Sequence, residues 1–329
     1  IEHRIEAAAG EGRFGHGCVD DCLEAAELAR DLELPRHEVD GRFARAERAA
    51  EDHGSRHQRL VCAYARAWTS FWWYEDYPDF IRRYRDLERR AEGSRNAYEF
   101  ELLHNAWNVL YSLVARGEAD AAEVALDEHT SFLTAGLERL GLEEDRPSTA
   151  LQARSLLLFT KLMVSARANE DVEPILRELR TLIGESVRLV GFPLEPLVEA
   201  LAELGKFLGQ RPGYQELHDA IVEVAAERSG EVKAARLILD RGAQQLEADR
   251  PTDAIRSLGR ALARLYKHES RHDLVTALYL CGAAYEQLGL PWAARGSLLN
   301  AASIAANDFW SYEEVTRHQV ACYNRLKWL

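Results

Sequence analysis

"GAAYEQLGLPWAARGSLLNAASIAAN", residues 282–307, sets small residues and single large ones at fixed intervals in a chain that otherwise reads as helix. Forty residues earlier the same pattern is already present. Gly242 stands to Gly282 as Ala243 to Ala283 and Pro251 to Pro291. Ala254, Ser257, Leu258 and Ala261 repeat as Ala294, Ser297, Leu298 and Ala301 without a gap. Self-similarity at one fixed period marks a repeat architecture, in which a helix pair cannot bury its apolar face alone and stacks on the next. The small residues Gly282 and Ala294 are expected where the two helices of a pair approach most closely. Leu278, Tyr285, Leu298 and Ala301 then fill the space around them.

Nearly every segment on either side carries helical periodicity, and no run of alternating β-branched residues appears. Pairs are expected at roughly 18–32 with 37–52, 56–75 with 79–92, 97–115 with 118–140, and 149–168 with 171–190. Further pairs follow at roughly 194–208 with 214–228, 231–248 with 251–267, and 272–288 with 291–306. A segment from about 312 to 329 reads as the first helix of another pair. Pro78, Gly117, Pro174, Pro212–Gly213, Pro251 and Pro291 fall at or just inside proposed helix starts, where proline costs no hydrogen bond.

The 242/282 pattern resembles the tetratricopeptide repeat. That family's order of a large residue, a small one, an aromatic, then Ala, a large residue and Ala is matched by Leu278, Gly282, Tyr285, Ala294, Leu298 and Ala301. The preceding repeat supplies Ile238, Gly242, Ala254, Leu258 and Ala261, with Gln245 in place of the aromatic. The closing proline is absent, with Tyr266 and Ala306 in its place, and the period exceeds the family's usual ~34 residues. The resemblance is specific over 231–310 and loose elsewhere. It implies an all-α fold, a right-handed α-solenoid of about seven antiparallel helix pairs over 18–329, behind a glycine-rich flexible lead at 1–17.

The resemblance also implies that the first helix of each pair lines a concave groove. Its groove positions fall on Arg236, Leu239, Ala243, Leu246 and Glu247, then on Thr276, Tyr279, Ala283, Glu286 and Gln287, and finally on Thr316, Gln319, Tyr323 and Lys327. By the same resemblance the function is non-catalytic binding of a protein or peptide segment, or of a small effector. The domain would then be the sensor or scaffold arm of a larger bacterial signalling or regulatory protein. Ile1 in place of a start Met and an unfinished last pair fit a fragment.

Composition agrees with a soluble chain. Of 329 residues 47% are hydrophobic and 29% charged, and a net charge of −13 disfavours nucleic acid, whose phosphates need clustered Lys and Arg. No apolar run approaches the ~18 residues of a membrane span. Five scattered cysteines point to reduced thiols and a cytoplasmic location. The scarcity of lysine beside abundant arginine points to a GC-rich bacterial genome.

Several strings offer chemistry. "HESRH", His268–His272, is an HExxH string, which on a helix would give a zinc hydrolase with Glu269 as general base. The repeat register places it at a turn between pairs, so two loop histidines are expected and no cofactor or metal. "GEGRFG", residues 10–15, satisfies GxGxxG, but no βαβ unit follows it. His16, Cys18 and Cys22 lack a fourth ligand, and "NDFWSYEE" at 307–314 lacks the acidic partner that magnesium binding would need. "YARAWTSFWWYEDYPDF", residues 64–80, puts Tyr64, Trp68, Phe71 and Trp72 on one core-facing side. Trp73 and Tyr74 lie off it as candidate exposed anchors, since Trp and Tyr are enriched at interfaces. A purely structural oligomerisation arm is the remaining alternative.

Overall fold

A computed structural model describes residues 1–10, 15–189, 192–308 and 322–326. Among them every regular element is a helix. The helices are α1 (Glu2–Gly10), α2 (His16–Asp31), α3 (Arg36–His53), α4 (Arg56–Trp72), α5 (Tyr77–Ala91), α6 (Ala97–Ala115), α7 (Leu126–Gly141) and α8 (Pro147–Arg167). They continue as α9 (Glu173–Ser186), α10 (Leu194–Glu203), α11 (Gly205–Leu208), α12 (Tyr214–Ser229), α13 (Glu231–Glu247), α14 (Pro251–Leu262), α15 (Arg271–Gln287) and α16 (Pro291–Asp308). None is long and apolar enough to cross a membrane, among the described residues. The chain divides into two compact units, Ile1–Lys161 and Leu162–Leu329, where the sequence led us to expect a single array.

In the first unit α2 packs on α3, α4 on α5 and α6 on α7, and the first helices α2, α4 and α6 also touch in order. Its core holds Leu60, Phe80, Tyr84, Leu103, Trp107 and Leu133, all fully buried. Ser55 closes a capping box with Gln58 at the start of α4, and Asp76 caps α5 ahead of Pro78. These signals end α3 and α4 where the sequence places breaks. Trp107 Nε1 donates to Thr130 Oγ1 at 3.0 Å, tying α6 to α7.

Two expectations for this unit are revised. Residues 2–10, taken as part of a flexible lead, form α1, because Ile5 is buried against α2 and Glu2 accepts from Arg45 at 2.7 Å. The second helix of the third pair starts at Leu126 rather than near 118. Asp120 holds the preceding turn by accepting from the amides of Ala122 and Glu123, and Ala125 takes a left-handed conformation.

In the second unit α9 packs on α12, α13 on α14 and α15 on α16, with further contacts between α12 and α13 and between α14 and α15. The segment expected as one helix over 194–208 breaks into α10 and α11. Tyr214 explains the break: its hydroxyl donates to the Leu201 and Ala202 carbonyls at 3.1 Å and lies against Gly205.

Helix ends share one device. Glu33, Glu75, Gly117, Asn169, Asp249 and Gly289 all have positive φ, and each directly follows the first helix of an expected pair. At five of them the next amide reaches back five residues, as from Leu34 to the Ala29 carbonyl and from Leu290 to the Tyr285 carbonyl. This closure satisfies the last free carbonyls of a helix and turns the chain sharply. Side-chain links join equivalent helix ends, Arg36 to Asp76 and Arg250 to Gln210 across 40 residues and Arg325 to Glu286 across 39.

Candidate functional site

The proposed groove positions of the second unit recur at three- and four-residue spacing on α13 and α15, so each set shares a helix face. Arg236 is exposed and donates from Nε to Asp273 Oδ2 at 2.8 Å, bridging the two helices. Leu239 is only 6% exposed and packs into the core, which leaves it little to offer a ligand. Leu246 is half-buried and Glu247 exposed. Thr276 spends its hydroxyl on its own helix, donating to the His272 carbonyl at 3.1 Å.

Tyr279 and Glu286 are brought together by a residue that the sequence did not single out. Arg325 Nε donates to Glu286 Oε2 at 2.6 Å, and its Nη1 lies 3.3 Å from the Tyr279 hydroxyl. The guanidinium also sits 5.6 Å from the Tyr279 ring centre. Burial would lower the Arg325 pKa, but the two partners reverse this and raise it. Gln287 and Tyr323 remain exposed. Thr316, Gln319 and Lys327 lie outside the described residues. This face is therefore largely committed to contacts within the chain.

The aromatic stretch of the first unit is more open. Tyr64, Trp68 and Trp72 follow each other at one helical turn on α4, with ring centres 5.3 and 5.8 Å apart. Trp72, expected in the core, is 56% exposed, more than Trp73 at 45%. It closes the last turn of α4 on the flank facing α6, and only Phe71 beneath it is buried. Trp73 carries the Arg30 guanidinium 4.0 Å above its ring, and half-buried Tyr74 carries that of Arg36 at 4.3 Å. Both expected anchors are thus covered in part by arginines of their own chain.

Between α4 and α6 lies a recess of about 260 Å3, walled by Trp68, Phe71 and Trp72 on one side and by Asn105, Asn108, Val109, Ser112 and Arg116 on the other. Asn105 hydrogen-bonds Tyr64, whose phenol burial pushes up to about 12. The Asn108 amide donates to Nδ1 of His104 at 3.2 Å, and Ser112 donates to the Asn108 carbonyl. Such a site offers flat indole surface for an apolar side chain and amides for a peptide backbone. The polar wall had a weak signal in the sequence, two asparagines three apart on a helix that buries most of its length.

The metal-like strings fare differently. "HESRH" straddles a 3₁₀ turn, His268–Ser270, and the first turn of α15, so its two histidines do not share one helix. Ser270 fixes that turn by donating to the Leu265 carbonyl at 2.9 Å. His16 pairs with Gln58 rather than with the thiols, at 3.0 Å. Cys18 and Cys22 are buried against each other, and burial raises both thiols. No group of three or more potential metal ligands occurs among the described residues. "GEGRFG" and "NDFWSYEE" fall mostly outside them.

No protein-family model matches the chain, and no curated protein matches its sequence. Among solved structures, BtubC (BKLC) from P. vanneervenii is 17% identical over 89% of this chain and 92% of its own, with a TM-score of 0.33. A circular tandem repeat protein with novel repeat topology and enhanced subunit contact surfaces is 16% identical over 99% and 88%, with a TM-score of 0.30. Scores this low bear on neither family nor function. The class rests on the chain's own geometry, an all-helical protein built of packed antiparallel helix pairs.

Proposed function

We propose that the chain is a non-catalytic binding module of the tetratricopeptide-like kind, which grips an extended peptide segment of a partner protein between α4 and α6. The observation that carries this reading is the aromatic row of Tyr64, Trp68 and exposed Trp72 facing Asn105, Asn108, Ser112 and Arg116 across an open recess. Leaving an indole half in water costs hydrophobic free energy, and a partner's apolar side chain would recover it. The asparagines supply donor and acceptor pairs of the kind a peptide unit requires. The role as sensor or scaffold arm of a bacterial regulatory protein, and a cytoplasmic setting for its reduced thiols, belong to the same proposal.

The test is selection of random displayed peptides on the immobilised chain, followed by anisotropy titration of the winners against Trp72→Ala and Asn108→Ala variants. Enriched peptides that bind the wild type at least tenfold more tightly than Trp72→Ala would support the groove, a difference of about 1.4 kcal/mol. Peptides that bind all three proteins equally would place the site elsewhere.

A further inference from the structure

The second unit holds a recess of about 530 Å3 whose chemistry differs from the peptide groove. It lies between α12 and α14, over α13, and is closed at one end by the loop Gly209–Gly213. Five arginines and three carboxylates line it, in a chain whose net charge is −13. Two of the three carboxylates are paired, while Glu216 stands exposed in the first turn of α12. Asp253 is held between Arg250 and Arg256, and Asp219 accepts from Arg260 at 2.9 Å.

Arg241 at the floor is the anomaly. It is 3% exposed, yet among the described residues no carboxylate lies within ion-pair distance of it. Its Nη2 donates to the Gly209 carbonyl at 2.6 Å, while Nε and Nη1 find only long 3.5 Å contacts to Gln215 and Gln244. The guanidinium lies 4.9 Å from the Tyr214 ring centre, and burial lowers its pKa. A buried charge without a counter-charge is costly, and a bound anion would relieve that cost. Arg211 at the rim likewise bonds a neutral group alone among the described residues, Asn169 Oδ1 at 2.7 Å.

Two further features point the same way. The first turns of α12 and α14 border the recess, and neither is capped by a side chain. Their amides and dipoles favour negative charge. The remaining lining is amide and hydroxyl (Gln210, Gln215, Gln245, Ser257) with no aromatic surface on which a nucleobase would stack, among the described residues.

We propose that this recess binds a small phosphorylated sugar or polyol, with Arg241 and Arg211 gripping one phosphate, Arg256 a second, and the glutamines and Ser257 the hydroxyl groups. The site is independent of the peptide groove and would let a metabolite act as effector.

Calorimetric titration of the whole chain tests it, with glucose 1,6-bisphosphate, pyrophosphate and glucose as probes at fixed ionic strength. The bisphosphate should bind more tightly than pyrophosphate, and glucose not measurably. Arg256→Glu, an exposed change that leaves Asp253 to Arg250, should weaken bisphosphate binding roughly tenfold or more, as expected for a charge-assisted contact. Arg241→Gln should weaken it as much at unchanged helicity, whereas Arg295→Glu on the exposed face of α16 should do nothing. Equal binding by wild type and Arg256→Glu, or no heat with either phosphate, would overturn the proposal. Pyrophosphate binding as tightly as the bisphosphate would overturn its sugar component.

Discussion

Gly282 and Leu298 meet so closely that a Cβ on the glycine would lie 2.7 Å from the leucine Cγ, and Gly242 stands to Leu258 in the same relation at 2.8 Å. Both leucines are fully buried, so neither has room to swing away. Gly282→Ala should therefore destabilise the second unit by about 1–2 kcal/mol, overpacking outweighing the gain in helix propensity. Gly296, on the exposed face of α16, has nothing within 4 Å of its own missing Cβ. Gly296→Ala should stabilise by about 0.5–1 kcal/mol. Urea unfolding of the two variants side by side reads the opposite signs, and destabilisation by Gly296→Ala would show that the exposed face of α16 does not tolerate a methyl.

The helix stops yield a second prediction. Glu33 adopts φ 53° in the position that glycine fills at Gly289, φ 67°. A left-handed conformation costs a residue with a Cβ roughly 1–2 kcal/mol, and glycine almost nothing. Glu33 is exposed, so no packing opposes its removal. Glu33→Gly should raise stability by up to about 1 kcal/mol, and Gly289→Glu should lower it by a similar amount. Thermal melts of both variants check the pair, and a destabilised Glu33→Gly would mean that its side chain does more than tolerate the turn.

Those stops also explain how much of the architecture was legible. Helix boundaries followed from proline, caps and apolar spacing, because each acts locally; α2 to α6, α13, α15 and α16 begin and end within about three residues of expectation, while α14 stops at Leu262, short of the expected 267. The common register of the early pairs was hidden, since the left-handed residue is glycine at 117 and 289 but glutamate at 33 and 75, and any side chain can be forced there by a turn held from both sides. Tertiary contacts were hidden for a related reason. Nothing local marks Arg325 as the partner of Tyr279 and Glu286, or tells Trp72 from Trp68 on one amphipathic face. The arginine recess collects residues from three helices and a loop, a grouping that exists only after folding.

Thiol chemistry gives a third expectation. All five cysteines are buried, and burial pushes the thiols of Cys22 and Cys281 up to about 11 and that of Cys62 to about 12. Since the thiolate is the reactive species, the native protein should react only slowly with Ellman's reagent at neutral pH. Unfolding in guanidinium should release all five thiols. Prompt labelling of even one thiol in the native state would locate a segment that opens readily.

The pH dependence of stability should carry the mark of two of the three buried histidines, His104 in the first unit and His218 in the second. Burial lowers the pKa of both His104 and His218 to about 4. For His218 the nearby Arg241 adds to this, while a 3.2 Å hydrogen bond to the Leu237 carbonyl opposes it. The unfolded chain takes up these protons near pH 6.5, which the folded chain resists until pH 4. Stability contributed by each neutral imidazole is thus complete above pH 6.5 and is lost as pH falls from there towards 4. Across that window each histidine adds a slope approaching about 1.4 kcal/mol per pH unit. His218→Gln keeps a donor for the Leu237 carbonyl and removes the titration. Denaturant unfolding followed from pH 7 to 4.5 should give a shallower fall for the variant, with the difference growing as acidity rises. Parallel curves would mean that His218 is protonated as readily in the folded chain as in the unfolded one.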